Sequence, residues 1–385
     1  MLQKLKQIAS RNLVNIPGWR TDRKIVVFES DDWGSIRMPS KKVFDTFLDK
    51  GIPVDKSPYC KYDSLASESD LQALFEVLNK FEDSSGNPPV ITANTVVANP
   101  DFEKIRASGF QKYYYELITD TFKKYPEHLD VFNLWVEGKD AGLFYPQSHG
   151  REHLNVPLWM NLLQSEHPDF LLAFDHSFWG LSRDIYSDMK QSIQAALDTE
   201  ERSDLPFQIE LIKEACMLFE KLFGYKSESF IANNYIWDSS LNKSLMEEGV
   251  AYLQGMKYQK TPLFTHGKRK LIRHHLGELN EFGQYYLIRN CTFEPSLMSP
   301  NFDNVGKCLK QISTAFSWNK PAIISTHRIN YVGFLDKSNR KRSLELMSEL
   351  LTQIVKNWPD VEFITSNKLG KMIDTQKKST QFDLL

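Results

Sequence analysis

Cysteine is scarce. Four residues, Cys60, Cys216, Cys291 and Cys308, are scattered through 385 positions, and no two form a C-x-x-C pair. This spacing excludes a zinc ribbon or a thioredoxin-like redox motif. It supplies no disulfide framework either, and a reducing compartment is the plainer reading. Long apolar runs are also missing: nothing approaches the roughly 18–20 apolar residues of a membrane span. The first twenty residues, MLQKLKQIASRNLVNIPGWR, have basic groups but no continuous apolar core. A secretory signal needs one, so the chain reads as cytoplasmic. Charge of one sign is absent too. Forty-seven basic residues against 49 acidic ones leave a net charge of −2, which gives no electrostatic case for a nucleic-acid or anionic-membrane partner. There is no internal repeat and no low-complexity tract.

What is present is alternation. Lys24–Ser30 (KIVVFES) is a buried-strand run, and Pro89–Val97 (PVITANTVV) is another, rich in β-branched residues. A third strand-like run ends at Ser148. Ser229–Ala232, Gly249–Gln254, Lys270–His275, Pro321–Thr326 and Val361–Thr365 are further strand candidates. Between them the spacing predicts helices over Pro39–Lys50, Ser69–Glu82, Tyr113–Lys124, Pro206–Phe223, Asn304–Trp318 and Arg340–Trp358. Strand–helix alternation implies parallel strands with crossover helices, and about seven strands imply a barrel. Residues 1–20 read as an N-terminal extension, 21–375 as one barrel domain with a helical insertion over 155–205, and 376–385 as a polar tail.

Three segments at strand ends carry candidate chemistry, and strand C-termini are where parallel α/β folds place their sites. Asp31 and Asp32 directly follow a buried strand. Where the alternation breaks, both carboxylates can turn into one pocket, one to bind a cation and one to act as general base. The plainer alternative is a pair of solvated turn aspartates. His149 and His153 stand at i and i+4, which predicts one helical face and a spacing that suits two imidazoles on one Zn²⁺. Gly150 stands where a zincin motif would need Glu. His327 ends the strand PAIISTH and suits a general acid. His274–His275 lie on a strand-like run and should point to opposite faces. Asp175-His176-Ser177 is a poor triad, because adjacent residues rarely face one another.

Together these motifs resemble the polysaccharide deacetylases (NodB-like, carbohydrate esterase family 4), over roughly residues 24–330. The Asp-Asp motif is matched by Asp31-Asp32, the His-(Ser/Thr)-x-x-His motif by His149 and His153, and the strand-ending histidine by His327. The resemblance implies a distorted (β/α)7 barrel, a divalent metal such as Zn²⁺ and removal of acetyl groups from a carbohydrate. It makes Asp31 the base, His327 the acid, and Asp32, His149 and His153 the metal ligands. The expected place of the family's third motif reads Phe230 to Asp238, with neither Arg nor Pro. There Asn233 and Asn234 are candidates to orient substrate, and Tyr235 and Trp237 either to stack on a sugar or to pack into the barrel rim, while Trp33, after the Asp pair, is open to cleft lining or to the core. For the fourth motif, whose acid tunes the catalytic histidine, Arg289, Glu294 and Asp303 lie in the right region, and the sequence does not choose among them. Related barrels cleave glycosidic bonds or non-sugar amides, and a degenerate relative could bind sugar without turnover, so these readings stay open.

Overall fold

The computed structural model describes residues 11–265 and 268–382. Its strands are β1 (Lys24–Trp33), β2 (Ile91–Thr95), β3 (Ala98–Pro100), β4 (Tyr115–Leu117), β5 (Phe144–Ser148), β6 (Ser229–Phe230), β7 (Tyr252–Gly255), β8 (Tyr258–Pro262), β9 (Arg269–Arg273), β10 (Tyr285–Ile288), β11 (Cys291–Thr292), β12 (Ala322–His327) and β13 (Val361–Phe363). The main sheet runs β10-β7-β6-β5-β2-β1-β12-β11, and its pairings are parallel. Its two ends, β10 and β11, are separated by only Arg289 and Asn290. Arg289 N–H donates to Gly255 on β7, and Asn290 N–H donates to Ile323 on β12. One continuous segment therefore joins both edges and closes a distorted barrel with seven positions. The seventh position is this bent segment, and β13 pairs with the start of β1 off the circuit.

Alternation along β1 explains the layers. Val26 and Phe28 face outward and pack with Leu71 and Leu74, Ile312, and Leu350 of the surrounding helices Glu68–Leu78, Asn304–Ser317 and Lys337–Asn357. Ile25 and Val27 belong to a separate inner cluster with Tyr252, Tyr285, Leu287 and Ile323. Leu369 and Ile373 of the helix Ser366–Phe382 complete that cluster. Residues 376–382 thus continue a helix where a polar tail is expected from composition; 383–385 lie outside the described residues. Residues 11–20 are likewise docked: Trp19 is buried, and the Lys320 ammonium donates to the carbonyls of Pro17, Gly18 and Trp19.

Above the apolar layer the barrel interior turns polar. Ser366 Oγ donates to Glu29 (2.7 Å), Gln254 Nε2 to Ser229 Oγ (2.8 Å), and Asn94 Nδ2 to Gln254 Oε1 (2.8 Å). An unpaired buried polar group costs about 1–3 kcal/mol, so this layer is held as a connected network.

Two elements depart from the expected pattern. Tyr113–Lys124 is not one helix: it splits into β4, which pairs antiparallel with β3, and the helix Ile118–Lys123. The run Lys270–His275 is not a barrel strand. It falls on β9, which forms an antiparallel hairpin with β8 and replaces a crossover helix between β7 and β10. The segment 155–205 contains the helices Val156–Gln164 and Pro168–Asp175 and then an irregular stretch. The four cysteines are free. No helix among the described residues is long and apolar enough to cross a membrane.

Candidate metal centre and active site

The head of the barrel begins at an irregularity in β1. The register against β2 shifts between Ser30 and Trp33, and Asp32 takes φ 76°, a left-handed conformation that aspartate tolerates better than most residues. This bulge turns two consecutive carboxylates inward. Asp31 continues the inward face of β1, and Asp32 is swung round to a neighbouring position.

Asp32 Oδ1 lies 3.1 Å from His153 Nε2 and 3.6 Å from His149 Nε2. All three side chains are buried, and one ligand atom from each lies within 4.8 Å of the others. Tetrahedral Zn²⁺ with bonds of about 2.0–2.1 Å needs ligand atoms roughly 3.3–3.4 Å apart, so the observed separations suit a shared ion. The outer partner of His149 agrees. His149 Nδ1 lies 2.8 Å from the Ile231 carbonyl, which can only accept, so Nδ1 holds the proton and Nε2 presents its lone pair. Burial, followed by the charge of Arg37, pulls His153 down to about 4, which keeps it neutral and able to ligate. For Asp32 burial acts upward, but Arg37 and His153 outweigh it and hold the carboxyl well below its usual range. Asn233 Nδ2 also lies 3.1 Å from His149 Nε2 and would have to yield that lone pair to an ion.

The histidines do not lie on a helix. Residues 149–153 form a loop, because Gly150 sits at φ +95° and interrupts any helical run. The loop is fixed instead by the Val97 and Ala98 N–H groups, both donating to Arg151 O. The Arg151 side chain is clamped by Glu152 and Glu214. The two imidazoles still converge, with ring centroids 5.0 Å apart.

Beside this triangle lies a second set. Parallel pairing of β1 and β12 sets Asp31 directly opposite His327. Arg289 forks onto Asp31, with NH1 to Oδ2 at 2.7 Å and NH2 to Oδ1 at 2.6 Å, while Asn94 Nδ2 donates to Oδ1 at 2.7 Å. Burial acts to raise the Asp31 carboxyl, but the Arg289 charge and hydrogen bonds prevail and hold it at about 2. His327 Nε2 stands 3.6 Å from Asp31 Oδ2, and its Nδ1 is 2.6 Å from Glu294 Oε1. Asn330 Nδ2 fixes the other oxygen of Glu294 at 2.8 Å. Burial disfavours the His327 cation, yet Glu294 and then Asp31 overcome this and lift it to about 10.

A pH consequence follows from that value. The imidazolium stays protonated through neutrality, and its contribution to stability is complete below the unfolded-chain value near 6.5. That contribution is lost as pH rises through about 10. Glu294→Gln is therefore expected to lower the alkaline limit of activity by roughly 1–3 pH units, read from a pH–rate profile. An unmoved limb would separate Glu294 from the group that sets that limit.

The other sequence candidates divide. Tyr235 is at the site, its hydroxyl 3.2 Å from Arg289 NH1, and Asn233 touches His149. Asn234, at φ 56°, lies in the same turn and donates to Ser192 Oγ at 3.3 Å. Trp33 does not line the cleft. Past the bulge its ring faces outward, stacks near Tyr331 and meets Trp135 and Phe144 edge-on in the core. Trp237 is also buried, in the cluster with Leu241 and Leu253, its indole N–H donating to Asn242. Asp303 caps the helix Asn304–Ser317 and takes no part. Asp175 pairs with Arg106 at the surface, and His274 stacks on Tyr286 at 3.7 Å. Sequence reasoning missed Arg37, Asn94, Tyr59 and Trp179. The Arg37 guanidinium lies over the rings of Trp179 (4.9 Å) and Tyr59 (5.6 Å), with NH2 3.2 Å from Asp32 Oδ2. Its place five residues after Asp32 was the available signal.

A barrel with seven strand positions, its polar head carrying a two-histidine, one-carboxylate cluster, is the class that fold and site define. No family model and no curated protein matches the chain. Among solved structures it is similar to a putative polysaccharide deacetylase from Mycobacterium smegmatis, at 10% identity and TM-score 0.47 over 94% of each chain. It is also similar to a probable polysaccharide deacetylase from Pseudomonas aeruginosa PAO1 (12%, TM-score 0.42, 91% of each chain). A third similar structure is the Puue allantoinase (12%, TM-score 0.41, 92% of this chain and 93% of that one). The barrel and the side-chain distances, rather than these distant likenesses, carry the functional reading below.

Proposed function

We propose that this chain is a metal-dependent hydrolase that removes N- or O-acetyl groups from a carbohydrate. The observation that carries the reading is the adjacency of two sets: the Asp32–His149–His153 triangle, and Asp31 and His327, each held by a buried partner of opposite charge. The sequence resemblance supplies the acetyl group and the sugar.

Asp32, His149 and His153 would hold the ion. When bound, a divalent cation there supplies Lewis acidity and acidifies water. Asp31 accepts a proton from the attacking water. Because Arg289 keeps it ionised, it is available as a base, though a weak one. His327, kept protonated by Glu294, delivers a proton to the departing nitrogen or oxygen. Arg289 would serve in place of the arginine absent from Phe230 to Asp238, and Glu294 as the acid of the fourth motif.

Acetate release from N-acetylated oligosaccharides tests the reading. Dialysis against a chelator is expected to abolish release, and one equivalent of Zn²⁺ to restore it. Shortened chains without free acetate would mean glycosidic cleavage instead. Full activity in the chelated protein would remove the metal from the account.

A further inference from the structure

Beside the turn 233–235 lies a cavity of about 190 Å³, lined by Arg183, Ser192, Asn234, Lys260 and Arg269 among others. It is formed where the chain's two additions to a plain barrel meet. The irregular stretch after the helix Pro168–Asp175 supplies Arg183 and Ser192, and the β8–β9 hairpin supplies Lys260 and Arg269. Arg269 is paired with the buried Asp198, which ties hairpin to insertion. No carboxylate is paired with Arg183 or Lys260 among the described residues. Asp184 also lines the cavity, its carboxylate accepting from Ser57 Oγ at 3.1 Å. Burial and then the charge of Arg269 hold the Lys260 ammonium below its ordinary value, against the opposing pull of Asp198 and with a smaller contribution from Arg183. Three cations, Arg183, Lys260 and Arg269, face two carboxylates, Asp184 and Asp198, and the excess positive charge beside the void costs free energy that a bound anion would offset.

The turn 233–235 links the cavity to the reaction centre. Asn234 lines it, while the next residue on either side touches the centre: Asn233 reaches His149 and Tyr235 reaches Arg289. We infer that this cavity is an anion subsite, and that the substrate is an acidic glycan carrying a carboxylate or similar oxyanion on the sugar next to the acetylated one. Lys260 and Arg183 would donate charge-assisted hydrogen bonds to that group, and Asn234 and Ser192 neutral ones. This rests on the deacetylase reading, naming the substrate class for the same site.

Two hexasaccharide probes test it: alternating N-acetylglucosamine and glucuronic acid, and neutral N-acetylchitohexaose. Binding is measured by titration calorimetry on zinc-loaded Asp31→Asn protein, so no turnover is needed, and acetate release on the zinc-loaded wild type. The acidic chain is expected to bind at least about tenfold tighter than the neutral one. Adding Lys260→Met or Arg183→Met should collapse that preference by about tenfold, and Lys260→Arg should retain most of it. Equal affinity for the two probes, no binding of the acidic one, or a preference that survives Lys260→Met would overturn the inference. Failure of the wild type to release acetate from either probe would instead count against the deacetylase reading, whatever the calorimetry shows.

Discussion

His153→Ala protein is expected to hold no stoichiometric zinc and to release no acetate above background. The argument is one of ligand count. With His153 gone, only Asp32 and His149 remain of the three atoms that face a common centre. Loss of a mere outer-shell partner costs roughly 10–100-fold in metal affinity, so loss of a ligand should cost more. The fold should survive, because His153 takes part in no strand pairing and its Nδ1 has no partner to strand. Two measurements separate metal loss from unfolding. Equilibrium dialysis with elemental analysis reads the zinc, and calorimetry reads its linkage to stability. Free zinc at a hundred times its Kd should stabilise the wild type by about 2.7 kcal/mol and leave the variant unmoved. A variant that retains one tightly held zinc would show that the histidine pair is not the ligand set.

Asp31→Asn should behave in the opposite way on metal. Zinc should stay bound, because Asp31 lies outside the triangle, while kcat should fall by about 10²–10⁴-fold, the usual contribution of a positioned base. The variant should also be less stable. Arg289 is fully buried and forks onto Asp31 and Glu29. Neutralising one partner leaves a buried cation short of compensation, and breaking buried pairs of this kind costs up to about 3–5 kcal/mol. A lower melting temperature together with retained zinc and lost turnover is thus the expected combination. A normal rate would remove Asp31 from the role of base.

The five residues proposed for the site from sequence, Asp31, Asp32, His149, His153 and His327, share one property. Each lies at, or within five residues of, the C-terminal end of a strand that the sequence pattern announces. Arg289 and Glu294 escaped choice because the segment 285–292 changes neighbours midway, pairing with β7 and then with β12. Nothing local encodes that switch, so nothing in the sequence says which charged residue ends up inside. Asn94 is inward by simple alternation on β2, but alternation alone does not tell a site residue from a structural one. Trp33 and Trp237 stayed open between cleft and core for a physical reason. Aromatics beside a motif serve core and cleft alike, and the bulge at Asp32 decides in favour of the core for Trp33. The helical reading of 149–153 ignored the freedom of Gly150, and the hairpin 258–273 shows that a strand's local pattern does not name its partner.

The most direct test is a crystal structure of the zinc-loaded protein, with anomalous data collected on both sides of the zinc edge. One zinc should appear bonded to Asp32, His149 Nε2 and His153 Nε2 at about 2.0–2.2 Å, with at least one remaining position facing Asp31 and His327. No anomalous peak inside the barrel head, or a zinc bound by any other set of side chains, would contradict the account.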